Sequence, residues 1–363
     1  MRNIALVLSG GGSKGAFQAG AIKCLLDKGI RFSVVAGTSV GALNGLIVSQ
    51  EKPENIGAQL EKWWFKVENK DVYKPHNFFK GLERTFRNLL SRGRSLPDIF
   101  LPESAYDNSP LRKLIQGYIN LSQVKSNIEH FLVYFISLQT GKLYCKDITT
   151  AMTEEEAVNY ILTSTVIPMA FPPFRHYVYD QQIEQVLEGK NGIKTQQYVD
   201  GGVMNKTPLK VVLGYDVGTV YVINNFPRYP NVNKDSLSKK FGNLITVGLR
   251  SVLDLGPNGY FERDINDVED VNNDIKVMNQ LKQSIFAKIK NETLKKEIEN
   301  IFEEKKQHFT FLYTKRTQRE KKEIQVISIC PEKEIDILDT EFKPQDSKRL
   351  FEWGYQSAEK TVI

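Results

Sequence analysis

The chain has 363 residues, 41% hydrophobic and 25% charged, with a net charge of +6. This balance excludes a disordered or fibrous protein, and the length allows one large domain with insertions or two smaller domains. Three widely spaced cysteines predict neither a disulfide framework nor a zinc ribbon, which favours a reducing, cytoplasmic location. No apolar run reaches the about 20 residues that a membrane span needs, and residues 4–8 are too few for a secretory signal, so we expect any membrane contact to be peripheral.

The first 50 residues predict two strand–loop–helix units in succession. Residues 2–8 form a short apolar strand that ends in a glycine-rich loop at 9–15, and a helix follows. Residues 31–36 predict a second strand, with a tight turn at 37–41 and a helix over 42–49. This alternation predicts a parallel sheet with helices on its faces. Right-handed crossovers place both loops at the carboxyl ends of their strands, where open α/β sheets bind ligands.

Residues 63–102 are aromatic, basic and irregular, and they predict an insertion that lies over the site. Within them, residues 66–94 carry eight basic against three acidic side chains. We hypothesise that this stretch touches an anionic lipid surface and admits an acyl chain, while a partly buried helix pair with a charged outer face stays open as the alternative. The aromatic residues of this hypothesis are Trp63, Trp64, Phe65, Phe78, Phe79 and Phe86.

Strand and helix patterns continue along the rest of the chain. Thr153 and Glu156 predict a capping box for a helix that ends near Pro168, and Pro344 begins a closing helix. Further strands are predicted at residues 131–138, 197–199, 219–223 and 323–330.

Residues 235–322 are dense in Lys, Glu and Asn and predict a charged helical insertion. The chain is therefore divided into an α/β domain over 1–234 and 323–363 and an insertion over 235–322. Residues 280–325 carry twelve basic and seven acidic side chains, which fits either an anionic partner, lipid or nucleic acid, or a solvated helix face.

The glycine loop fits the pattern G-x-G-x-x-G from Gly10 onwards. A dinucleotide-binding fold requires an acidic residue at the end of the second strand, and residues 34–38 contain none, which disfavours nucleotide binding. Consecutive glycines direct the N–H groups of Gly11 and Gly12 outward near a helix N-terminus, an arrangement suited to an oxyanion. Lys14 opposes the helix dipole there, which points to a phosphate or carboxylate partner, with a solvated lysine as the alternative.

Residues 37–41 read Gly-Thr-Ser-Val-Gly, which fits G-x-S-x-G between a strand and a helix. This is the context of a nucleophilic serine, here Ser39, although a plain glycine turn is the alternative. A nucleophilic serine needs a base, and none of the four histidines lies in a recognisable base context. Asp200 ends a short strand before two glycines and is the other candidate, although structural turns often place Asp before Gly.

Taken together, the glycine loop, the turn around Ser39 and the sequence Asp-Gly-Gly at 200–202 resemble the patatin-like phospholipase family, in the same order and strand contexts. The family pattern is matched further by Ser164-Thr165-Val166-Ile167-Pro168, by Phe171-Pro172-Pro173, and by Asn205 and Pro208. The resemblance covers residues 1–225 and a closing strand and helix after Glu323, whereas 235–322 has no counterpart in it.

The resemblance implies a three-layer α/β fold, with a mostly parallel central sheet and helices on both faces. It implies a lipid acyl hydrolase of the phospholipase A type that needs no metal or other cofactor. Its roles fall on Ser39 as nucleophile, Asp200 as base, Gly10, Gly11 and Gly12 as oxyanion loop, and Lys14 as a substrate-binding residue. It favours a lipid or acyl-ester substrate and an anionic membrane, not nucleic acid, as partners. An acyltransferase, a small-ester or thioester hydrolase and a non-catalytic nucleotide- or lipid-binding module stay open.

Overall fold

A central β-sheet organises the chain in a computed structural model that describes residues 3–75, 104, 106–138, 140–168, 170–176, 196–228, 244–289, 291–309, 323–335 and 341–362. The strands are β1 (Asn3–Leu8), β2 (Val34–Thr38), β3 (Lys74–Pro75), β4 (Tyr106–Asp107), β5 (His130–Ser137), β6 (Leu143–Asp147), β7 (Phe174–His176), β8 (Gln196–Asp200), β9 (Val217–Ile223) and β10 (Gln325–Ile329). The helices are α1 (Gly15–Asp27), α2 (Val40–Gln50), α3 (Pro53–Trp64), α4 (Asn69–Val72), α5 (Ser109–Tyr118), α6 (Leu121–Asn127), α7 (Glu154–Ser164), α8 (Leu209–Val212), α9 (Leu244–Lys288), α10 (Glu292–Phe309) and α11 (Pro344–Thr361).

Eight of these strands form one sheet in the order β10–β9–β1–β2–β5–β8–β7, with β6 also paired to β5. The strands from β10 to β5 in this order run parallel to their neighbours. Strands β6 and β8 are antiparallel to β5, and β7 is antiparallel to β8. The strands β3 and β4 form a separate two-stranded ladder. The prediction of a mostly parallel sheet is confirmed.

Helices cover both faces of this sheet, as alternate residues of β1 show. Leu6 and Leu8 belong to a hydrophobic cluster shared with helices α1, α2, α3, α7 and α11. Ala5 and Val7 belong to a second cluster, shared with α8 and α9. Because successive side chains of a strand point to opposite faces, the two clusters lie on opposite sides of the sheet. The three-layer arrangement expected from the sequence is therefore confirmed.

Part of the segment 235–322 contributes to the second helical layer. Phe261 and Ile265 of α9 are buried and pack in the same cluster as Leu209 and Val212 of α8. These contacts join α9 to the core of the α/β sheet. The division of the chain into a domain and an insertion stays a prediction.

Helix α11 crosses α1 with the two backbones in direct contact. A Cβ atom at Gly354 would lie 1.8 Å from the carbonyl oxygen of Phe17, and one at Gly20 would lie 1.8 Å from that of Phe351. Only glycine at both positions allows this approach. Since α1 begins at the end of the glycine loop, the C-terminal helix supports the element that carries the loop.

The aromatic residues at the end of α3 pack inward. Trp64 is buried, and its ring stacks on Phe342 with ring centroids 6.4 Å apart. Trp63 and Phe65 are partly buried against the core, and Phe65 packs edge to face on Phe351 at 5.2 Å. The rings of these three residues contribute to the packing between helices, which favours the alternative of a partly buried helix. Contact of this stretch with lipid stays a prediction. Phe78, Phe79 and Phe86 lie outside the described residues.

Candidate active site

The candidate nucleophile follows strand β2, and the candidate base is the last residue of strand β8. These two strands lie on the same edge of β5. Phe135 of β5 pairs with β6 and with β8, so these two strands lie on opposite edges of β5. Tyr134 pairs with β6 and with Thr38 of β2, which places β2 opposite β6 and on the same edge as β8. Along that edge Thr38 faces Tyr134, and Asp200 faces the next residue, Phe135. The carboxyl ends of β2 and β8 therefore meet, with Ser39 directly after the first of them.

The turn after β8 contacts the end of β2. A Cβ atom at Gly202 would lie 3.6 Å from Thr38 Cγ2 and 3.0 Å from Asp200 Oδ1. The N–H group of Gly202 donates to Asp200 Oδ1 at 2.7 Å, which orients the carboxylate. The exposed fractions are 4% for Asp200 and 5% for Ser39. Ser39 and Asp200 are thus both buried where the ends of β2 and β8 meet.

Ser39 lies on a strained turn between β2 and α2. Its φ of 57° and ψ of −126° make it the single non-glycine residue with a positive φ in the described ranges. Such a conformation costs about 1–3 kcal/mol and persists only where surrounding contacts fix it. A Cβ atom at Gly37 would lie 2.3 Å from Gly41 O, and one at Gly41 would lie 2.4 Å from Leu8 O. The two glycines of the motif therefore let the turn close onto the end of β1.

The glycine loop lies against this turn. A Cβ atom at Gly10 would lie 3.3 Å from Ser39 Cβ. Gly11 has a φ of 145° and Gly12 a φ of 54°, conformations that L side chains rarely adopt. The N–H group of Gly10 donates to the carbonyl of Lys206 at 2.9 Å and is thereby engaged.

Buried polar side chains that the sequence analysis did not single out hold the glycine loop. The N–H group of Asn225 donates to Ser9 Oγ at 2.9 Å, and its Nδ2 donates to Gly10 O at 3.1 Å. Gln18 Nε2 donates to Ser9 O at 2.7 Å. Asn225 follows β9. Its position could have been inferred from the sequence, because polar residues after parallel strands gather at the edge of the sheet where ligands bind. Gln18 is the one strongly polar residue among the apolar residues 16–22, which is a signal for a buried contact.

The same polar network continues into helices α2 and α3. Asn44 Nδ2 donates to Gly15 O at 2.9 Å and to Gln18 Oε1 at 3.0 Å. Asn44 Oδ1 accepts a hydrogen bond of 2.8 Å from Trp64 Nε1. All of these side chains are buried, so the network ties the start of α1 to two neighbouring helices.

Lys14 lies at the end of the glycine loop with an exposed fraction of 3%. Its Nζ is 4.7 Å from the centroid of the Phe226 ring, and Nζ of Lys206 is 4.0 Å from the same centroid. Cation–π contacts of this kind stabilise desolvated ammonium groups by about 2 kcal/mol. Lys14, the candidate substrate-binding residue, is thus buried. The structure adds a second buried lysine, Lys206, that the sequence analysis did not single out.

Among the described residues, the side chain of His130 lies away from Ser39. It pairs with Val34, at the opposite end of β2 from Ser39. Its Nδ1 is 2.6 Å from Asp147 Oδ2, and its ring packs on Tyr215. Across the described ranges, no group of three or more His, Cys, Asp or Glu side chains is arranged to hold a metal ion. No helix in those ranges is long and apolar enough to cross a membrane.

The fold and the strained turn are those of α/β proteins that carry a serine on a strand-to-helix elbow. A model of the patatin-like phospholipase family matches residues 6–213, which is more than half of the 363 residues. The chain therefore belongs to the patatin-like phospholipase family.

Individual relatives match over shorter stretches. Lysophospholipase nte1 of Aspergillus terreus is 44% identical over an alignment of 101 residues, and the match covers 23% of this chain and 6% of that protein. Patatin-like phospholipase domain-containing protein 7 of Rattus norvegicus is 38% identical over 61 residues, which are 16% of this chain and 4% of that protein. The matched part is thus a small fraction of each relative's length.

Two solved structures show a low overall similarity. VipD from Legionella pneumophila has a TM-score of 0.40 and 14% identity, and the match covers 99% of this chain and 66% of that one. Human GIVD cytosolic phospholipase A2 has a TM-score of 0.37 and 9% identity, with 70% and 48% covered.

Proposed function

We propose that this chain is a lipid acyl hydrolase that uses Ser39 as nucleophile and Asp200 as general base. The observation that supports the proposal is the meeting of the ends of β2 and β8, where Ser39 and Asp200 lie, beside the glycine loop. Membership of the patatin-like phospholipase family supports a lipid ester as the substrate.

In the proposed reaction, Ser39 Oγ attacks the carbonyl carbon of the ester while Asp200 accepts the hydroxyl proton. The negative charge that develops on the carbonyl oxygen is held by the N–H groups of Gly11 and Gly12. The alcohol leaves with the proton returned by Asp200, and an acyl-enzyme forms on Ser39. Water then attacks this ester with Asp200 again as base, which releases the fatty acid and restores the serine.

The glycine loop carries a large part of the proposed rate enhancement. An isolated aspartate, with a pKa of about 3.9, is a weak proton acceptor at neutral pH. One oxyanion donor contributes on the order of 3 kcal/mol to transition-state stabilisation. Gly10 then has a different part in the loop, because its N–H donates to Lys206 O and its missing side chain allows contact with Ser39.

Lys14 is proposed to contact an anionic part of the substrate. Its position after the loop, with Lys206 beside the same Phe226 ring, gives this end of the sheet two positive charges. Peripheral contact with an anionic membrane remains part of the proposal. Residues 76–103, which include most of the basic stretch invoked for it, lie outside the described ranges.

The test is labelling with a fluorophosphonate probe, followed by lipid product profiling. We expect the wild type to be labelled and Ser39→Ala to be unlabelled and inactive. Asp200→Asn should lose about as much activity as Ser39→Ala. Wild-type turnover in Asp200→Asn, with activity lost in His130→Gln instead, would refute the dyad. Release of free fatty acid by the wild type alone supports hydrolysis, whereas a new acyl ester as the main product identifies an acyltransferase.

A further inference from the structure

Ser164, the last residue of α7, contacts the backbone of the candidate nucleophile. Its Oγ accepts a hydrogen bond of 2.9 Å from the N–H group of Ser39. The same Oγ donates to the carbonyl of Tyr134 at 2.6 Å. Ser164 is fully buried, with an exposed fraction of 0%. One hydroxyl therefore ties the strained turn to strand β5.

Two residues further on, the chain contacts the candidate base. The carbonyl of Val166 accepts a hydrogen bond of 2.8 Å from the N–H group of Asp200. Residues 164–166, here called the bridging segment, thus bind the backbone amides of both Ser39 and Asp200. These two residues are 161 positions apart in the sequence, so a contact common to both fixes their relative position directly.

The bridging segment is itself held by short-range hydrogen bonds at the end of α7. The N–H group of Thr165 donates to Leu162 O at 2.9 Å, and the N–H group of Val166 donates to Thr163 O at 3.3 Å. Tyr160 of α7 stacks on Phe135 of β5, with ring centroids 6.0 Å apart. The segment is therefore anchored both to its helix and to the strand on which β2 and β8 meet.

We propose that Ser164 is a positioning residue that holds Ser39 in its strained conformation and in register with Asp200, an inference that rests on the proposed function. A strained residue needs contacts that fix it, and the hydroxyl of Ser164 supplies one at the strained residue itself. Because the Ser39 N–H donates to Ser164 Oγ, it is already engaged and is not one of the proposed oxyanion donors.

Removal of this hydroxyl should slow the chemical step more than it weakens binding. In Ser164→Ala the N–H of Ser39 and the carbonyl of Tyr134 both lose the hydrogen bond to this hydroxyl, which lets the turn relax. A displacement of about 1 Å at a reacting group lowers a rate by on the order of 100-fold. We expect kcat for a p-nitrophenyl ester to fall 10- to 100-fold with KM changed less than threefold.

Thr163→Val is the matched control. The hydroxyl of Thr163 is also buried and also makes one strong hydrogen bond, 2.6 Å to Asn159 O, but this bond stays within α7 and Thr163 is not part of the bridging segment. We expect Thr163→Val to keep the wild-type kcat although it loses a buried hydrogen bond. Ser164→Cys retains a weak donor and acceptor in a similar volume, and it should recover part of the lost rate.

The experiment measures kcat, KM and the second-order rate of fluorophosphonate labelling for these variants, with urea unfolding of each. A lower kcat and slower labelling in Ser164→Ala, with Thr163→Val unaffected at comparable stability, supports the proposal. If Ser164→Ala fails to fold, the comparison of Ser164→Cys with Thr163→Val decides in the same way. Wild-type kcat in a folded Ser164 variant would overturn it, as would an equal loss in Thr163→Val. A wild type that the probe does not label would instead refute the proposed function.

Discussion

Asp264 of α9 is a buried carboxylic acid whose ionisation should destabilise the fold. Its exposed fraction is 2%, and its Oδ2 has no hydrogen-bond partner among the described residues. Burial, with a smaller contribution from Asp267, raises the pKa of this carboxyl to about 6, although Lys210 and Arg263 oppose the shift. The carboxyl is therefore neutral in the folded protein at mildly acidic pH.

The size of the effect follows from the two pKa values. Each pKa unit between the folded and unfolded states corresponds to about 1.4 kcal/mol, so a change from 3.8 to about 6 corresponds to about 3 kcal/mol. Because the folded-state pKa is raised, the stabilising contribution of Asp264 is fully present below pH 3.8 and is lost as the pH rises through about 6. Asp264→Asn removes the ionisation and keeps the shape of the side chain.

The assay is urea unfolding of the wild type and Asp264→Asn at pH 4 and at pH 8. We expect the free energy of unfolding of the variant, relative to the wild type, to rise by about 2.4 kcal/mol between the two pH values, because the unfolded carboxyl is already partly ionised at pH 4. Taking this difference cancels the other titrating groups. Asp270→Asn, on the same helix but exposed, is the control and should show a small change. A difference that is independent of pH for Asp264→Asn, or that falls as the pH rises, would refute the reasoning.

Three further predictions concern packing, the loop and the polar network. Gly354→Ala places a Cβ against the Phe17 carbonyl and should lower the free energy of unfolding by about 1–3 kcal/mol or more. The control Gly117→Ala meets no atom within 4 Å and should raise the free energy of unfolding by about 0.5–1 kcal/mol by stabilising α5. Equal melting temperatures of the two variants would contradict this prediction. Gly11→Ala places a Cβ 2.8 Å from Asn225 Cβ at a φ of 145°. This change should lower esterase activity by about 100-fold or more, while the circular dichroism spectrum stays that of the folded protein. Full activity would argue against the proposed role of the loop. Trp64→Phe removes the hydrogen bond to the buried Asn44 and should lower the free energy of unfolding by about 1–3 kcal/mol in urea titrations, while an unchanged value would show that the network contributes little.

Features that depend on neighbouring residues in the sequence were predictable. The strand before the glycine loop, the turn at Ser39 and the cap of α7 are encoded within a few residues. Thr153 does accept a hydrogen bond from the N–H group of Glu156, at 3.1 Å. Local apolar patterns and glycines specify these elements because the steric rules that govern them act over the same short range.

Features that depend on distant contacts were not predictable from the residues alone. The sequence predicts the strand that ends at Asp200, but its antiparallel pairing with β5 and its place beyond the end of β2 arise from tertiary contacts. The inward packing of Trp64 depends on Asn44 and on Phe342, which is far along the chain. The burial of Phe261 likewise requires the second face of the sheet, which no local pattern in α9 identifies.

The pairing of β8 with β5 makes the orientation of the Asp200 carboxylate depend on a tyrosine. Tyr198 is completely buried, and its ring packs edge to face on Phe135 and Tyr144, with centroids 5.4 Å and 5.6 Å away. A slip of one residue between these strands would turn every side chain of β8 to the opposite side of the sheet. A smaller residue at position 198 would lose these ring contacts, and we expect it to weaken the register that sets the position of Asp200 at the end of β8. Loss of activity at this strand need not be accompanied by loss of structure.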